Sequence, residues 1–397
     1  PYDVLTQADK DALLSRDGRN IVAVDLPHCP PSDVGPDSAY EQAAETLTQW
    51  RSSGVLVREQ RDSLYAYQQS FTWAGRTHRR RSIIAAVRLE PFGSGVWPHE
   101  KTFAGPKADR LKLRQAARTQ LSPILGFCDA GAASELLFDP LADRPDAAGD
   151  VDGVTSSLWT VSDPAVIGQV QTALAGVDLF IADGHHRYTT ALNYRDALGE
   201  IAPDHPANFI MFVLVAADDP GLIVLPTHRV ISGLQGFDPA RFVAAAGAVA
   251  DFQPVDLAGE DVTDADAFLK RFGPHAMAFA AGADAWVARV TDLTAMERLA
   301  PTESPAWRGL DVAILHRLLL DEYLADCRCD RTTTEYTADG PAALEAARTG
   351  RADLVALLQG APLSAVREIA LAGGVMPHKS TYFYPKAATG MVLYPLE

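Results

Sequence analysis

Cysteine is scarce in this sequence, with four in 397 residues, at Cys29, Cys128, Cys327 and Cys329. None stands in a CxxC pair, and the Cys327-x-Cys329 spacing is poor for chelation, which argues against both a disulfide framework and a zinc ribbon. Long apolar runs are missing as well. No stretch reaches the roughly 20 residues that a membrane-spanning helix needs, and no secretory leader is visible. These absences predict a protein of the reducing cytoplasm. The sequence begins at Pro1, so a targeting segment upstream would not be visible in it.

Positive charge is the third deficit. Lysine and arginine number 35 against 51 aspartate and glutamate, a formal net charge of -16. So acidic a surface repels nucleic acid phosphates and anionic lipids, and neither nucleic acid nor membrane is expected as a partner. A small anion stays open, because a local basic cluster reverses the field inside one cleft. The dense basic run Arg76-Thr77-His78-Arg79-Arg80-Arg81 lies between two strand-like stretches and reads as a solvated hairpin turn. Walker loops, a GxGxxG after a strand and a GxSxG elbow are all absent.

What is present is ordinary globular material. Hydrophobic residues make up 47% and charged residues 22%, and the length suits two to three domains at roughly 150 residues each. Asn20–Leu26 reads as a short buried strand and Ser38–Ser52 as an amphipathic helix. Leu64–Gln68 and Ser82–Leu89 alternate like strands. The Gly- and Pro-rich piece from Pro91 to Pro106 reads as a loop, followed by a helix over Ala108–Gln120 and an exposed connection over Asp139–Asp152. A strand at Ser157–Val161, a helix at Ala165–Ala175 and an apolar strand at Val177–Ala182 follow. A helix then runs to Leu198, and Asn208–Ala216 and Leu222–Leu225 read as strands. Gly236–Tyr323 alternates helix and strand, with a hairpin over Met277–Val290. The expected class is α/β, with α and β elements mixed.

The strongest chemical signal is Asp183-Gly184-His185-His186-Arg187. An apolar strand feeds Asp-Gly, and Tyr188, Ala191 and Leu192 then recur at helical spacing, which puts His185, His186 and Arg187 in the first helical turn. There the backbone N–H groups lack intrahelical acceptors and the helix dipole adds partial positive charge. Cationic side chains are unfavourable at that end unless an anion is present, so the pattern points to a phosphate or carboxylate site. A structural turn with Asp183 as N-cap is the bland alternative.

Three further clusters follow. His99-Glu100-Lys101-Thr102, with Asp109-Arg110 close behind, sits in a loop of the kind that often carries catalytic groups. Glu100 there suits a general base. The second histidine of a zincin motif is missing, and neighbouring helical residues point about 100° apart, so no metal site is expected from His99, His185 or His186. Pro377 to Lys386 offers two lysines, Lys379 and Lys386, and two hydroxyls, Ser380 and Thr381, for phosphate contact, with aromatics suited to a core. Pro226-Thr227-His228-Arg229 follows a strand, where side chains often face a cleft.

These motifs resemble the DUF1015 family of bacterial and archaeal proteins. The resemblance is carried by Pro1-Tyr2-Asp3-Val4, His99-Glu100-x-Thr102 with Asp109-Arg110-Leu111, and Ala182 to Tyr188. Leu225 to Arg229 and Met376 to Lys386 carry the rest, so it spans nearly the whole chain. The Asp183–Arg187 turn is also similar to the Gly-x-His-Arg or Gly-x-Arg-Arg helix start of the ParB/sulfiredoxin superfamily. Its members hold nucleotide phosphates at that turn: partition proteins bind CTP, sulfiredoxins use ATP, and free-serine kinases phosphorylate a hydroxyl.

The second resemblance implies a ParB/sulfiredoxin-like core over 1–232, an inserted α+β subdomain over 233–325, and a C-terminal segment over 326–397 returning to the core. It implies that Gly184, His186 and Arg187 contact phosphates while Asp183 and His185 shape or assist the site. Glu100, with His99, is the candidate for the catalytic carboxylate region, in competition with Glu59 and Glu90. Thr102, Arg110, His228 and Arg229 are the candidates for holding the substrate. The implied activity is nucleotide-dependent phosphoryl transfer to a small hydroxylated metabolite such as free serine, with ATP or ADP and Mg²⁺. A hydrolase of a phosphorylated or carboxylated metabolite, and a non-catalytic nucleotide-binding module, are the alternatives. Oligomeric state is not encoded in any motif.

Overall fold

In the computed structural model, residues 5–31 and 33–397 are described. The motif Pro1-Tyr2-Asp3-Val4 and residue Ser32 of the Pro-rich loop lie outside them. The chain divides into two compact units, Pro1–Leu222 with Pro385–Glu397, and Ile223–Tyr384. Both mix helix and sheet.

The first unit is built on an eight-stranded mixed sheet. Its strands are β1 (Leu64–Trp73), β2 (Arg76–Arg88), β3 (Val96–Trp97), β5 (Ile124–Cys128), β6 (Ala147–Val151), β7 (Val154–Val161), β8 (Leu179–Asp183) and β9 (Phe209–Ala216), in the spatial order β3-β8-β5-β9-β2-β1-β7-β6. A separate short strand β4, Thr119–Gln120, pairs with Tyr394–Pro395. Pairings β3–β8 and β5–β9 are parallel. The central strand β9 is buried along almost all its length, as a strand covered on both faces must be. Ile124, Ile181, Phe212, Leu214, Tyr188 and Ala191 share one apolar cluster, which ties β5, β8 and β9 to the helix His185–Ala197. A second cluster, around Tyr40, Leu47, Trp50 and Leu113, packs the helix Asp37–Ser52 on the helix Ala104–Ala117.

Three local readings differ from the structure. Asn20–Leu26 holds a short helix, Val22–Asp25, rather than a strand; a brief apolar run fits a buried helix as well as a strand. The connection Asp139–Asp152 contains β6, whose residues are exposed throughout. The basic tract is not a turn: the chain reverses at Ala74-Gly75, and Arg76–Arg81 runs along β2. Strand alternation then sends Arg80 fully inside, where its Nη2 donates to Gln69 Oε1 and, at 2.6 Å, to the Pro385 carbonyl.

The second unit centres on a six-stranded sheet with every pairing antiparallel. The strands are β11 (His228–Ser232), β12 (Ala250–Pro254), β13 (Ala276–Ala281), β14 (Asp284–Val290), β15 (Thr333–Thr337) and β16 (Leu354–Leu357), in the order β12-β14-β13-β16-β11-β15. β13 and β14 form a tight hairpin over Gly282-Ala283. A two-stranded ribbon joins β10 (Ile223–Leu225) to β17 (Tyr382–Tyr384). Val230, Phe268, Leu269, Ala278, Val287 and Val355 form its core.

Candidate functional site

The turn after β8 is made possible by Gly184, which begins the helix His185–Ala197 with φ 99° and ψ 25°. That is left-handed space, which costs glycine nothing and other residues strain. The site is also sterically closed to a side chain. A Cβ at residue 184 would sit 2.9 Å from Ile124 Cδ1 and 3.1 Å from Arg187 Cζ. Beside it, the pairing of β5 with β8 shifts register between Leu125 and Gly126, directly where Leu125 faces Asp183. Bulges of this kind re-aim strand ends next to functional sites.

Asp183 is the hub of the turn. Its Oδ2 accepts from Arg187 Nη2 at 2.5 Å and its Oδ1 accepts from Lys386 Nζ. The side chains of Asp183, Arg187 and Lys386 are 12%, 12% and 16% exposed, so all three are largely desolvated. Burial pushes the Asp183 carboxyl up, but Lys386 and Arg187 overcome it and hold the group well below the ordinary carboxylate range. Arg187 also donates through Nη1 to the Pro123 carbonyl. Two cations thus share this one carboxylate.

Lys386 reaches the turn because the C-terminal segment of the same unit is threaded along the sheet. Gln69 Nε2 donates to the Lys386 carbonyl at 3.0 Å, Arg80 to the Pro385 carbonyl, and the Ala388 amide to Tyr67 Oη at 3.1 Å. Of the two lysines that the sequence offers in the Pro377–Lys386 run, Lys386 reaches the turn; its 203-residue separation from Asp183 hid the pairing.

The His99–Thr102 loop meets the helix start. The His99 amide donates to His185 Nε2 at 3.2 Å, and the two rings meet edge to face at 4.7 Å. Accepting at Nε2 places the proton of the neutral His185 ring on Nδ1, which faces Glu100 Oε2 at 3.6 Å. Burial, and then the neighbouring His99, push His185 well below its usual value. Burial takes His99 down to about 4. Both imidazoles are therefore neutral at pH 7. His186 accepts from the Phe103 amide at 2.9 Å and stacks on the Phe103 ring. Glu100 keeps 33% of its side chain exposed, and Thr102 is half-buried in the same loop.

Arg110 lies in the first unit but is engaged elsewhere. Its Nε donates to Asp109 at 2.7 Å and its Nη1 to the Asp25 carbonyl at 2.6 Å. The remaining expected residues belong to the second unit. Arg229 is fully buried there, donating to the carbonyls of Thr227, His378 and Lys379 and to His316 Nε2 at 3.1 Å. His228 Nδ1 accepts from the Leu358 amide at 3.2 Å, and burial lowers its pKa to about 4. Lys379 is exposed with φ 55°, Ser380 donates to the Pro377 carbonyl, and Thr381 is buried. This unit also carries an open cleft of about 570 Å³, lined among others by Thr227, Lys270, His275, Asp311 and Ser380. His275 Nδ1 and Asp311 Oδ1 pair across 2.8 Å on its wall.

Among the described residues, no group of three or more histidine, cysteine, aspartate or glutamate side chains is placed to hold a metal ion, and no helix is long and apolar enough to cross a membrane.

The family model described as "Protein of unknown function (DUF1015)" matches residues 1–313. No curated protein matches the chain. Among solved structures, a mutant free serine kinase in complex with AMP aligns at 13% identity and a TM-score of 0.38, covering 78% of this chain and 91% of that one. A conserved hypothetical protein from Pyrococcus furiosus aligns at 13% identity and a TM-score of 0.35, over 78% and 94%. SbnI with a C-terminal truncation, from Staphylococcus aureus, aligns at 11% and 0.36, over 77% and 84%. At these values no chemistry passes from those proteins to this one.

Proposed function

The chain belongs to the DUF1015 family, and from that premise we propose that its first unit binds the phosphates of a nucleotide at the Asp183–Arg187 turn. There it transfers a phosphoryl group to a small hydroxylated metabolite. One observation carries the reading. A left-handed glycine opens a helix beside a largely buried cluster in which two cations, Arg187 and Lys386, share the Asp183 carboxylate. Helix-start amides and desolvated cations together favour phosphate oxygens. Without ligand, Asp183 clamps both cations; an arriving phosphate competes with it for them.

In the transfer, Arg187 and Lys386 would stabilise charge on the phosphoryl oxygens. The acceptor hydroxyl oxygen forms a bond to the terminal phosphorus, the bond to the bridging oxygen breaks, and the shortened nucleotide leaves. The acceptor's proton passes to Glu100, which is exposed enough to meet a substrate and stands beside a neutral His185 that takes no charge from it. Mg²⁺ would enter with the nucleotide, held mainly by its phosphate oxygens, as that ion commonly is.

Thermal unfolding with ATP, ADP, CTP and phosphoserine, with and without Mg²⁺, tests the reading. A nucleotide at about 100 times its Kd stabilises by about 2.7 kcal/mol. If no nucleotide shifts the midpoint, the reading is wrong; a shift without phosphoryl transfer to any hydroxyl compound leaves a binding module.

A further inference from the structure

We infer that the first unit holds a second oxyanion site, adjoining the turn through Arg187, in a small cavity where Arg114 and Thr190 are the principal ligands. The cavity has a volume of about 40 Å³, and Asp25, Arg110, Arg114, Ser122, Arg187 and Thr190 are among its lining residues. A single water needs roughly 10–15 Å³ by this kind of measure. The space therefore takes a few waters or one small oxyanion group.

Charge accounting separates the two occupants. Arg110 is paired with Asp109 and Asp25, and Arg187 with Asp183. The Asp25 carboxylate also accepts from Ser122 Oγ at 2.8 Å. Arg114, on the helix Ala104–Ala117, is only 9% exposed, yet among the described residues its Nη1 has no hydrogen-bond partner and no carboxylate pairs with it. The Tyr194 ring lies beside it, with the guanidinium carbon 5.9 Å from the centroid. Burial lowers its pKa to about 10, which leaves it charged at neutral pH. Thr190 Oγ1, in a residue 1% exposed, is likewise without a partner, whereas the adjacent Thr189 hydroxyl bonds back to the His185 carbonyl at 3.0 Å.

Buried polar groups are rarely left unsatisfied in folded proteins. Water would satisfy the hydroxyl but would bring no charge to an uncompensated buried guanidinium. An anion supplies both. A guanidinium fork with a neighbouring hydroxyl donor matches the oxygens of a carboxylate or a phosphoryl group. Arg187 on the cavity wall would add its field. The inference does not rest on the function proposed for the turn, because Arg114 and Thr190 lie outside it.

The test uses the full chain, titrated calorimetrically with sodium phosphate and, separately, with sodium formate at constant ionic strength held by chloride. The wild type is expected to bind one of the two at this site, and the anion whose binding falls in Arg114→Met and Thr190→Val identifies the ligand as phosphoryl or carboxyl, phosphate bound at the turn being unaffected by either substitution. Arg114→Met and Thr190→Val should each weaken that binding about tenfold or more, the loss expected for a hydrogen bond to a charged group. Without anion, Arg114→Met should be at least as stable as the wild type, since it removes an unpaired buried charge. Wild-type binding of neither anion, or unchanged binding in both variants, overturns the inference. Thr190→Val is nearly isosteric and keeps the test decisive if Arg114→Met does not fold.

Discussion

Replacing Asp183 by Asn tests the electrostatics of the turn more sharply than any substitution of a cation. The carboxylate is the shared counter-ion of Arg187 and Lys386, and all three side chains are largely buried. Removing one partner from a buried charge pair costs about 3–5 kcal/mol, because the remaining charge is left uncompensated. For a unit of this size, 1 kcal/mol moves the unfolding midpoint by roughly 2–4 °C, so the variant should melt about 6–20 °C lower in chloride buffer. An oxyanion can then replace the missing carboxylate. Thermal unfolding followed by circular dichroism, with phosphate raised at constant ionic strength, should show a larger anion-dependent rise in Asp183→Asn than in the wild type. A low midpoint that phosphate fails to raise beyond the wild-type response would mean that the two cations are structural and do not receive anions.

Other outcomes follow from single contacts. Gly184→Ala forces a side chain into left-handed space and against Ile124 and Arg187; a loss of about 1–3 kcal/mol in urea unfolding is expected, and an unchanged midpoint would contradict the geometry of the turn. Glu100→Gln should keep nucleotide affinity and lose transfer; retained turnover would remove Glu100 from the mechanism. His99 has its folded pKa depressed to about 4 by burial, so between the unfolded value near 6.5 and that point the unfolded chain binds a proton that the folded chain does not. Its stabilising contribution is full above about pH 6.5 and falls as the pH drops, by up to about 3 kcal/mol near pH 4. Because burial lowers His185, His228 and His316 as well, denaturant midpoints of the wild type and of His99→Gln at pH 7 and 5 check this, and an equal pH response in the two would argue that His99 is solvated.

The turn itself was legible because its signals are local: an apolar strand, Asp-Gly, and a helical repeat within twenty residues. Sheet membership of Leu64–Gln68, Ser82–Leu89 and Asn208–Ala216 was legible for the same reason, since alternation or a continuous apolar run marks a strand. What stayed hidden depends on partners far along the chain. Lys386 meets Asp183 across 203 residues, with Gln69, Arg80 and Tyr67 anchoring the backbone around it. Arg80, in a tract that reads as a solvated turn, is interior because its β2 register points it inward and buried acceptors await it. Arg229 gives no sequence sign that it spends its donors on backbone carbonyls. Composition reports how much charge a chain has; only the register of a sheet reports which side of it each charge faces.

The central claim is that phosphate oxygens bind at the start of the helix His185–Ala197. Backbone amide chemical shifts of His185, His186 and Arg187, followed by transverse-relaxation-optimised NMR during titration with ADP, report on it directly. Saturable downfield movement of these three amides, accompanied by the Lys386 side chain, is the predicted result. Saturable binding that leaves all three unmoved would contradict it.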